Sequence, residues 1–327
     1  MLEFMVRRLA NALLVLWLVV TGMFFLLHLA PGSPVNSLPP AVAADPIARA
    51  AYQAELGLDQ NIFVQYVNYL FDIVRGDLGR SLFDGTSVFS QIKSHLPVSL
   101  ELGALAAVCA MVPGFLIGCW TATQRGTWRD SVVRVVSVLS FSVPAYWLAV
   151  LCLVFIGQRY PDMLPSAGGF VKFTEDPVTN VKVMILPALV LGLSTFALVV
   201  RSIRAALIDV LSFDYVAFAT AMGMPRRLMM KRIAVRNAII PTLTVVGVLL
   251  GGLVSGTVLV ESVFQIPGLG QLMVTAFLRQ DYPLALGCSV FTAVIFLGLN
   301  LVVDALYFVV DPRTRTTAQR RTTTAVA

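Results

Sequence analysis

The chain has 327 residues, of which 57% are hydrophobic and 13% charged, and it carries a formal net charge of +6. That is too little charge to coat a water-facing surface of this size, so much of the chain is solvated by lipid. A cytosolic enzyme, a nucleic-acid binder and a disulfide-stapled secreted domain are excluded, and the basic excess needs another cause.

Six apolar stretches are long enough to cross a hydrocarbon core, which takes roughly 20 helical residues. They are Leu9 to Leu29, Val98 to Ala122, Val132 to Ile156, Val183 to Val200, Leu243 to Val260 and Leu286 to Val310. Peptide groups in lipid find no water, so each stretch closes its hydrogen bonds internally as a helix. The predicted fold class is an all-α polytopic membrane protein with six transmembrane helices.

Residues 1–30 hold the first helix. Arg7 and Arg8 precede it and Ala41-Val42-Ala43 resembles a cleavage site. Its apolar part nevertheless exceeds the roughly 7 to 15 residues of a secretory signal, so it is read as a retained span. Residues 31–97 form a long external segment. Within it Phe63, Tyr66, Val67, Leu70, Ile73 and Val74 recur at helical spacing, too short a stripe and too charged a segment to span, which predicts an interfacial or docking helix. Residues 98–310 form a five-helix core that includes an internal connection, 201–242. The tail, 311–327, is polar, unpatterned and read as disordered.

Orientation follows from the basic residues. The segments 1–8, 123–131, 201–242 and 311–327 hold 15 Lys and Arg in 76 positions, against 8 in 119 for 30–97, 157–182 and 261–285. This bias places both termini in the cytoplasm and accounts for the positive charge. The four cysteines, Cys109, Cys119, Cys152 and Cys288, lie inside apolar runs without the spacing of a redox pair or metal site, and read as small core hydrophobes.

Catalytic signatures are missing. None of the four lysines follows the glycine that a phosphate-binding loop requires, and there is no HExxH helix and no GxSxG elbow. No metal site is predicted. The spans are also nearly free of ionisable groups, which proton- or ion-coupled transport usually places deep in the bundle. Asp304, with Asn300 one turn away, is read as a packing or capping group for an arginine such as Arg313 in preference to a proton relay. Glu101 enters the second helix at its outer edge and Arg134 the third at its inner edge.

The internal connection runs Asp214-Tyr215-Val216-Ala217-Phe218-Ala219-Thr220-Ala221-Met222-Gly223-Met224-Pro225 and continues as a basic helix to Arg236-Asn237-Ala238-Ile239-Ile240-Pro241. Asp214 suits an N-cap, the alanines permit close approach of a partner, Gly223 suits a left-handed helix end and Pro225 the first turn of the next helix. Composition alone allows two readings, a solvated basic loop or two short helices meeting at a bend.

At these residues the chain resembles the permease subunits of binding-protein-dependent ABC importers, in the form of the oligopeptide/dipeptide permease family. There Asp-Tyr-Val, a small-residue run, Gly and Arg-Asn-Ala-x-x-Pro recur. Ala217 stands where the wider motif has glutamate, and Thr220 and Met222 replace basic residues. The similarity extends through Leu56-Gly57-Leu58-Asp59, Gly76-Asp77-Leu78-Gly79-Arg80-Ser81 and Leu96-Pro97-Val98-Ser99-Leu100-Glu101-Leu102. It continues in Ser142-Val143-Pro144 with Tyr146-Trp147, Leu164-Pro165-Ser166-Ala167-Gly168, the run from Glu261 to Gly270, and Asn300, Asp304 and Asp311-Pro312-Arg313.

The resemblance, closest to the family's first (B-type) permease subunit, implies a type I ABC importer permease fold in the bacterial inner membrane, moving short peptides by alternating access. It implies a second related permease, two cytoplasmic ATPases and an external solute-binding protein as partners. ATP and magnesium would sit on the ATPases, and this chain would have no cofactor and no enzyme activity of its own. Asp214, Tyr215, Ala217, Ala219, Ala221, Gly223, Pro225, Arg236 and Asn237 would couple to the ATPases. Candidates for receptor docking are Gly76, Asp77, Gly79 and Arg80, whose charges can pair or meet a ligand, together with Glu261, Pro267 and Gly268.

For the translocation path or its hinge the candidates are Ser137, Ser140, Pro144, Gly251, Ser255, Asn300 and Asp304. Gly247, Gly251 and Ser255, interleaved with Gly252 and Gly256, form a small-residue face that favours helix packing over substrate contact. Pro144 removes a backbone bond near Ser137 and Ser140 and favours a hinge. The alternative functions are a self-contained secondary transporter or channel, and a membrane-embedded enzyme. The family pattern serves dipeptides, longer peptides, glutathione and nickel chelates, so it does not choose the cargo.

Overall fold

The computed structural model describes residues 2–29, 45–55, 57, 59–157, 159–160 and 170–310. In chain order its helices are α1 (Leu2–Leu29), α2 (Pro46–Glu55), α3 (Ile62–Arg75), α4 (Val88–Thr123), α5 (Trp128–Ser142) and α6 (Ala145–Cys152), which widens into a π-turn over Leu153–Gly157. Then come α7 (Pro177–Leu211), α8 (Asp214–Ala221), α9 (Arg226–Met229) with a second π-turn over Met230–Ala234, α10 (Val235–Phe264), α11 (Leu269–Leu278) and α12 (Tyr282–Val310). Among the described residues the only β pairing is one antiparallel bridge, Arg80 to Ser87. Among the described residues five helices are long and apolar enough to cross a membrane, and α5 with α6 makes a sixth if the pair, bent by 90°, is one span. The chain is an all-α polytopic membrane protein.

Three buried clusters hold the bundle. A central one joins α4, α6, α7 and α10 through Leu102, Ala106, Ala149, Met184 and Leu253. The second packs α1 against α11 and α12 with Phe24, Val88, Ile92 and Leu269, at what we call the far end. The third gathers Ala122, Leu207, Val216 and Ala234 at the opposite, basic end, where the α7–α10 connection lies.

Several helices outrun the apolar stretches that predict them. α7 continues to Leu211 because nothing in 201–211 breaks it and Ile203, Leu207 and Val210 stay buried at helical spacing. The internal connection therefore starts at Ser212, eleven residues later than expected. α4 begins at Val88, with Pro97 inside it, so the expected boundary at residues 97 and 98 falls mid-helix. α10 likewise contains Pro241. The third stretch departs most. Pro144 stands at a break, where α5 stops at Ser142 and α6 restarts at Ala145 with a bend of 90° between them. The side chain that bonds a backbone carbonyl there is that of Ser142, to Val138 O at 2.9 Å.

The expected interfacial helix is α3. Asn61 accepts from Phe63 N at 2.9 Å to start it, and Gly76, at φ +80°, ends it. Ile62, Tyr66, Tyr69 and Ile73 lean on the far-end cluster, whereas Phe63, Val67, Phe71 and Val74 are exposed. The Tyr69 hydroxyl is buried without a hydrogen-bond partner, and burial pushes its ionisation upward. The tail 311–327, Arg313, Leu56, Leu58 and the Leu164 to Gly168 motif lie outside the described residues.

Lipid supplies no hydrophobic force between helices, so adhesion depends on close backbone approach. α4 and α7 achieve it with glycine. A Cβ on Gly192 would lie 2.9 Å from Ala106 O, and one on Gly118 would lie 2.9 Å from Ile203 Cβ. Gly192→Val and Gly118→Leu are each expected to destabilise the fold by about 1–3 kcal/mol through overpacking. Thermal unfolding in detergent checks this, with Gly252→Ala, whose Cβ would meet open space, as the silent control.

Candidate functional site

The basic-end connection is a built knob. Ser212 Oγ donates to Asp209 O at 2.6 Å as α7 ends, and extended Phe213 turns the chain into α8. Asp214 is the first residue of α8, and the cap position belongs to Phe213, which makes no side-chain cap bond. The expectation of Asp214 as the N-cap is therefore corrected; its charge still lies in the first turn, where the helix dipole favours it. α8 closes at Gly223, whose φ of +77° is left-handed, with Gly223 N bonded to Thr220 O at 3.0 Å and Met224 N to Ala219 O at 3.1 Å. Pro225 stands just before α9, one position earlier than expected.

α8 has two faces. Val216 and Ala219 are buried against Leu207, Met229 and Ala234. Ala219 is thus withdrawn as a contact for any outside partner, because helical spacing turns it inward. The other face exposes Asp214, Tyr215, Ala217 and Ala221 together with large apolar groups that motif reasoning missed. Phe218 is 67% exposed and Met222 72%, and Phe213 stacks on Tyr215 with ring centroids 5.6 Å apart. Beside this apolar knob Arg226, Arg227, Lys231, Arg232 and Arg236 are exposed. Asn237 donates to Ile233 O at 2.8 Å, bracing the junction of the π-turn with α10.

A buried ion pair steadies this end. Asp130, 1% exposed at the start of α5, receives Arg204 Nε at 2.7 Å and Nη2 at 2.8 Å from α7. Gly126 N also donates to it at 3.4 Å, and Arg134 lies 4.0 Å away. Sequence gave no sign of a pair separated by 74 residues. Asp304 does pair with an arginine, but with Arg8 on α1 at 3.1 Å, the opposite end of the chain from the expected partner. Asn300 donates to Phe296 O at 2.9 Å.

The path candidates are dispersed. Ser137 is buried, Ser140 half-buried, and Pro144 and Ser255 are exposed. Gly251 faces α12, where a Cβ would lie 2.8 Å from Phe296 Cε2, and Gly247 faces Val303.

At the far end, Gly76 and Gly79 take φ of +80° and +78° as their turns require. Asp77 accepts from Gly79 N at 2.9 Å and Arg80 reaches Gly85 O at 3.4 Å, so the two charges turn away from each other and form no pair. Asp281, 1% exposed and absent from the sequence-based candidates, anchors this loop to α12. It accepts from Ser81 Oγ at 2.5 Å, Leu82 N at 3.2 Å and Leu284 N at 3.3 Å. Partial burial works against ionisation of Asp84, but hydrogen bonds from Thr86 and the charge of Arg279 outweigh it and hold the carboxyl below its usual range. Glu261 is fully buried and Gly268 is buried beside it, which removes both from a docking surface; Pro267 is half-buried.

Residues 114–316 match the family described as binding-protein-dependent transport system inner membrane component, and residues 1–103 match its N-terminal membrane-component region. The chain belongs to this permease family. The short stretch between the two matched regions, 104–113, lies inside α4. The permease is 36% identical to the probable D,D-dipeptide transport system permease protein DdpB of Escherichia coli over 322 residues, covering 90% of this chain and 94% of that protein. It is 34% identical to a putative peptide transport system permease protein of Brucella abortus, covering 96% and 99%. It is 32% identical to the dipeptide transport system permease protein DppB of Escherichia coli, again covering 96% and 99%. The permease is accordingly a multi-pass inner-membrane component of a binding-protein-dependent transport system.

Breaking the Asp130–Arg204 pair from one side leaves a buried uncompensated charge. Asp130→Ala or Arg204→Ala is expected to cost roughly 3 kcal/mol, and Asp130→Asn with Arg204→Met together less than either. Unfolding midpoints of the purified permease in detergent measure the order.

Proposed function

We propose that this permease is the membrane-spanning subunit of an ATP-driven importer for short peptides, worked by separate ATPase subunits through the 214–236 connection. Its basic end and both termini face the cytoplasm. A second related permease, two ATPases and an external solute-binding protein complete the complex, and ATP with magnesium is bound and hydrolysed on the ATPases. Their closure tips the bundle between outward-open and inward-open states. The 76–87 turns, fixed by Asp281, contribute to the surface that meets the binding protein.

The observation that carries this reading is the knob of α8. A helix that buries Val216 and Ala219 while presenting Phe218, Met222 and the stacked Phe213 and Tyr215 at the most basic end of the molecule is suited to an apolar groove on a soluble partner. The relatives named for peptide and dipeptide transport support the cargo class. A self-contained secondary transporter is less well supported, because Asp304 is paired with Arg8 and Glu261 is committed to backbone donors.

Phe218→Asp puts a charge where an apolar groove would have to desolvate it, and Gly223→Val forces a β-branched residue into a left-handed conformation. Each is expected to lower ATP-driven dipeptide uptake by about tenfold or more in vesicles reconstituted with all partner subunits. Uptake at the unmutated rate in both variants, or accumulation of dipeptide by vesicles containing this chain alone, overturns the proposal.

A further inference from the structure

α11 is attached unequally to α10 and α4, and it also packs with α12 in the far-end cluster. α10 ends when Gln265 adopts φ +57°, Ile266 N turns back to Glu261 O at 2.9 Å, and α11 starts after Gly268. The Glu261 carboxylate, 0% exposed, lies across that start and its Oε2 accepts from Gly270 N at 2.7 Å and Gln271 N at 3.1 Å. Both bonds are made at the positive end of a helix. The contact leaves no room for side chains. A Cβ on Gly270 would lie 2.5 Å from Val258 Cα, and one on Gly268 would strike the Glu261 carboxylate. At its start α11 also bonds to α4, from Leu269 N to Ser99 Oγ at 2.7 Å; Leu269 packs in one cluster with Val88 and Ile92 of α4, and the Ser99 hydroxyl lies beside the Glu261 carboxylate.

These attachments stand at the end of a lever. α10 runs unbroken from Val235, beside the basic-end knob, to Phe264, 30 residues or about 45 Å at 1.5 Å per residue. Between α4, α10, α11 and α12 lies an apolar cavity of about 320 Å³, lined among others by Leu96, Leu100, Leu250, Leu253, Leu269 and Ile295. Ser99, Thr257 and Gly270 also line it, so the Ser99–Leu269 bond closes one of its walls.

We infer that Glu261 is a positioning residue that makes α11 travel with α10, so that a shift of α10 breaks the weaker Ser99–Leu269 contact and opens the cavity at the far end. This rests on the ATP-driven reading above. The clasp converts movement at the knob into movement of a wall 30 residues away.

The test uses the complete complex in vesicles with spin labels on Leu278→Cys, at the exposed end of α11, and Phe89→Cys, exposed near the start of α4. The distance between them is measured by pulsed electron resonance, without nucleotide and with ATP trapped by vanadate. The parent complex is expected to lengthen this distance on trapping. Glu261→Ala is expected to lose most of that change while ATP hydrolysis stays within about twofold, since only the coupling between sites is removed. Glu261→Gln, which keeps an acceptor oxygen, restores the change. Ser99→Ala, which lacks the bond to Leu269 and leaves both backbone donors of Glu261 in place, is expected to populate the long distance without nucleotide, and it carries the test if Glu261→Ala does not assemble. An unaltered nucleotide response in Glu261→Ala, or an unaltered resting distance in Ser99→Ala, overturns the clasp. A parent complex that shows no vanadate-sensitive ATP hydrolysis overturns the function proposed above instead.

Discussion

Inside a bilayer, apolar side chains gain nothing by leaving lipid for each other, so this bundle holds together where backbones come close or polar groups meet fully. Gly114, Gly118 and Gly192 let α4 and α7 lie nearly in backbone contact along the bundle. Where close approach ends, buried carboxylates take over: Asp130 at the basic end, Glu261 and Asp281 at the far end. Each accepts from donors of an element distant in sequence or of a helix N-terminus, although Glu261 Oε1 is buried without a partner, and each fixes a loop that would otherwise have only lipid or water for neighbours. The α4–α7 pair thus acts as the frame of the bundle.

The division of labour between frame and levers follows from the same packing. α7 carries its buried stripe of Ile203, Leu207 and Val210 past the apolar stretch and ends directly at the knob, so α8 is seated on the frame by Val216 and Ala219. α10 leaves that knob on the other side and reaches the far end as a single helix. Its glycines face different neighbours: Gly247 and Gly251 face α12, Gly256 faces Leu191 of α7, and Gly252 faces open space. α5 and α6, by contrast, keep long exposed apolar faces, among them Val135, Leu139, Tyr146, Trp147 and Phe155.

Much of this was legible in the sequence where one residue type has one physical use. Runs of some 20 apolar residues have no stable form in lipid except a helix, and Gly223 reads as a helix end because glycine alone takes its φ cheaply. Boundaries were less legible, since hydropathy marks the lipid and not the helix: α4 and α7 continue because their amphipathic faces continue. Pro144 illustrates a local signal with two outcomes, a kink or a break; here the helices part at 90° and Ala149 packs into the central cluster. The candidate site was half legible. Asp214, Tyr215, Ala217, Ala221 and Gly223 are on the exposed side of the knob, yet a motif read as a string does not say that Ala219 points inward or that Phe218 and Met222 point out. Glu261 shows the limit most plainly, because a carboxylate in a sequence carries no mark of burial, and its donors are set by a reversal at Gln265. The pairs Asp130–Arg204 and Ser81–Asp281, 74 and 200 residues apart, exist only once the chain has folded.

The π-turn over Met230–Ala234 stores one surplus residue in the thread of the chain between the knob and α10. Each residue of a regular α-helix advances the screw by about 100° and 1.5 Å. Were that turn to tighten into ordinary α geometry, α9 and everything before it would be re-aimed around the axis of α10 by that angle, with few hydrogen bonds exchanged. The residue count of that turn therefore sets the direction in which the knob stands off the axis of α10.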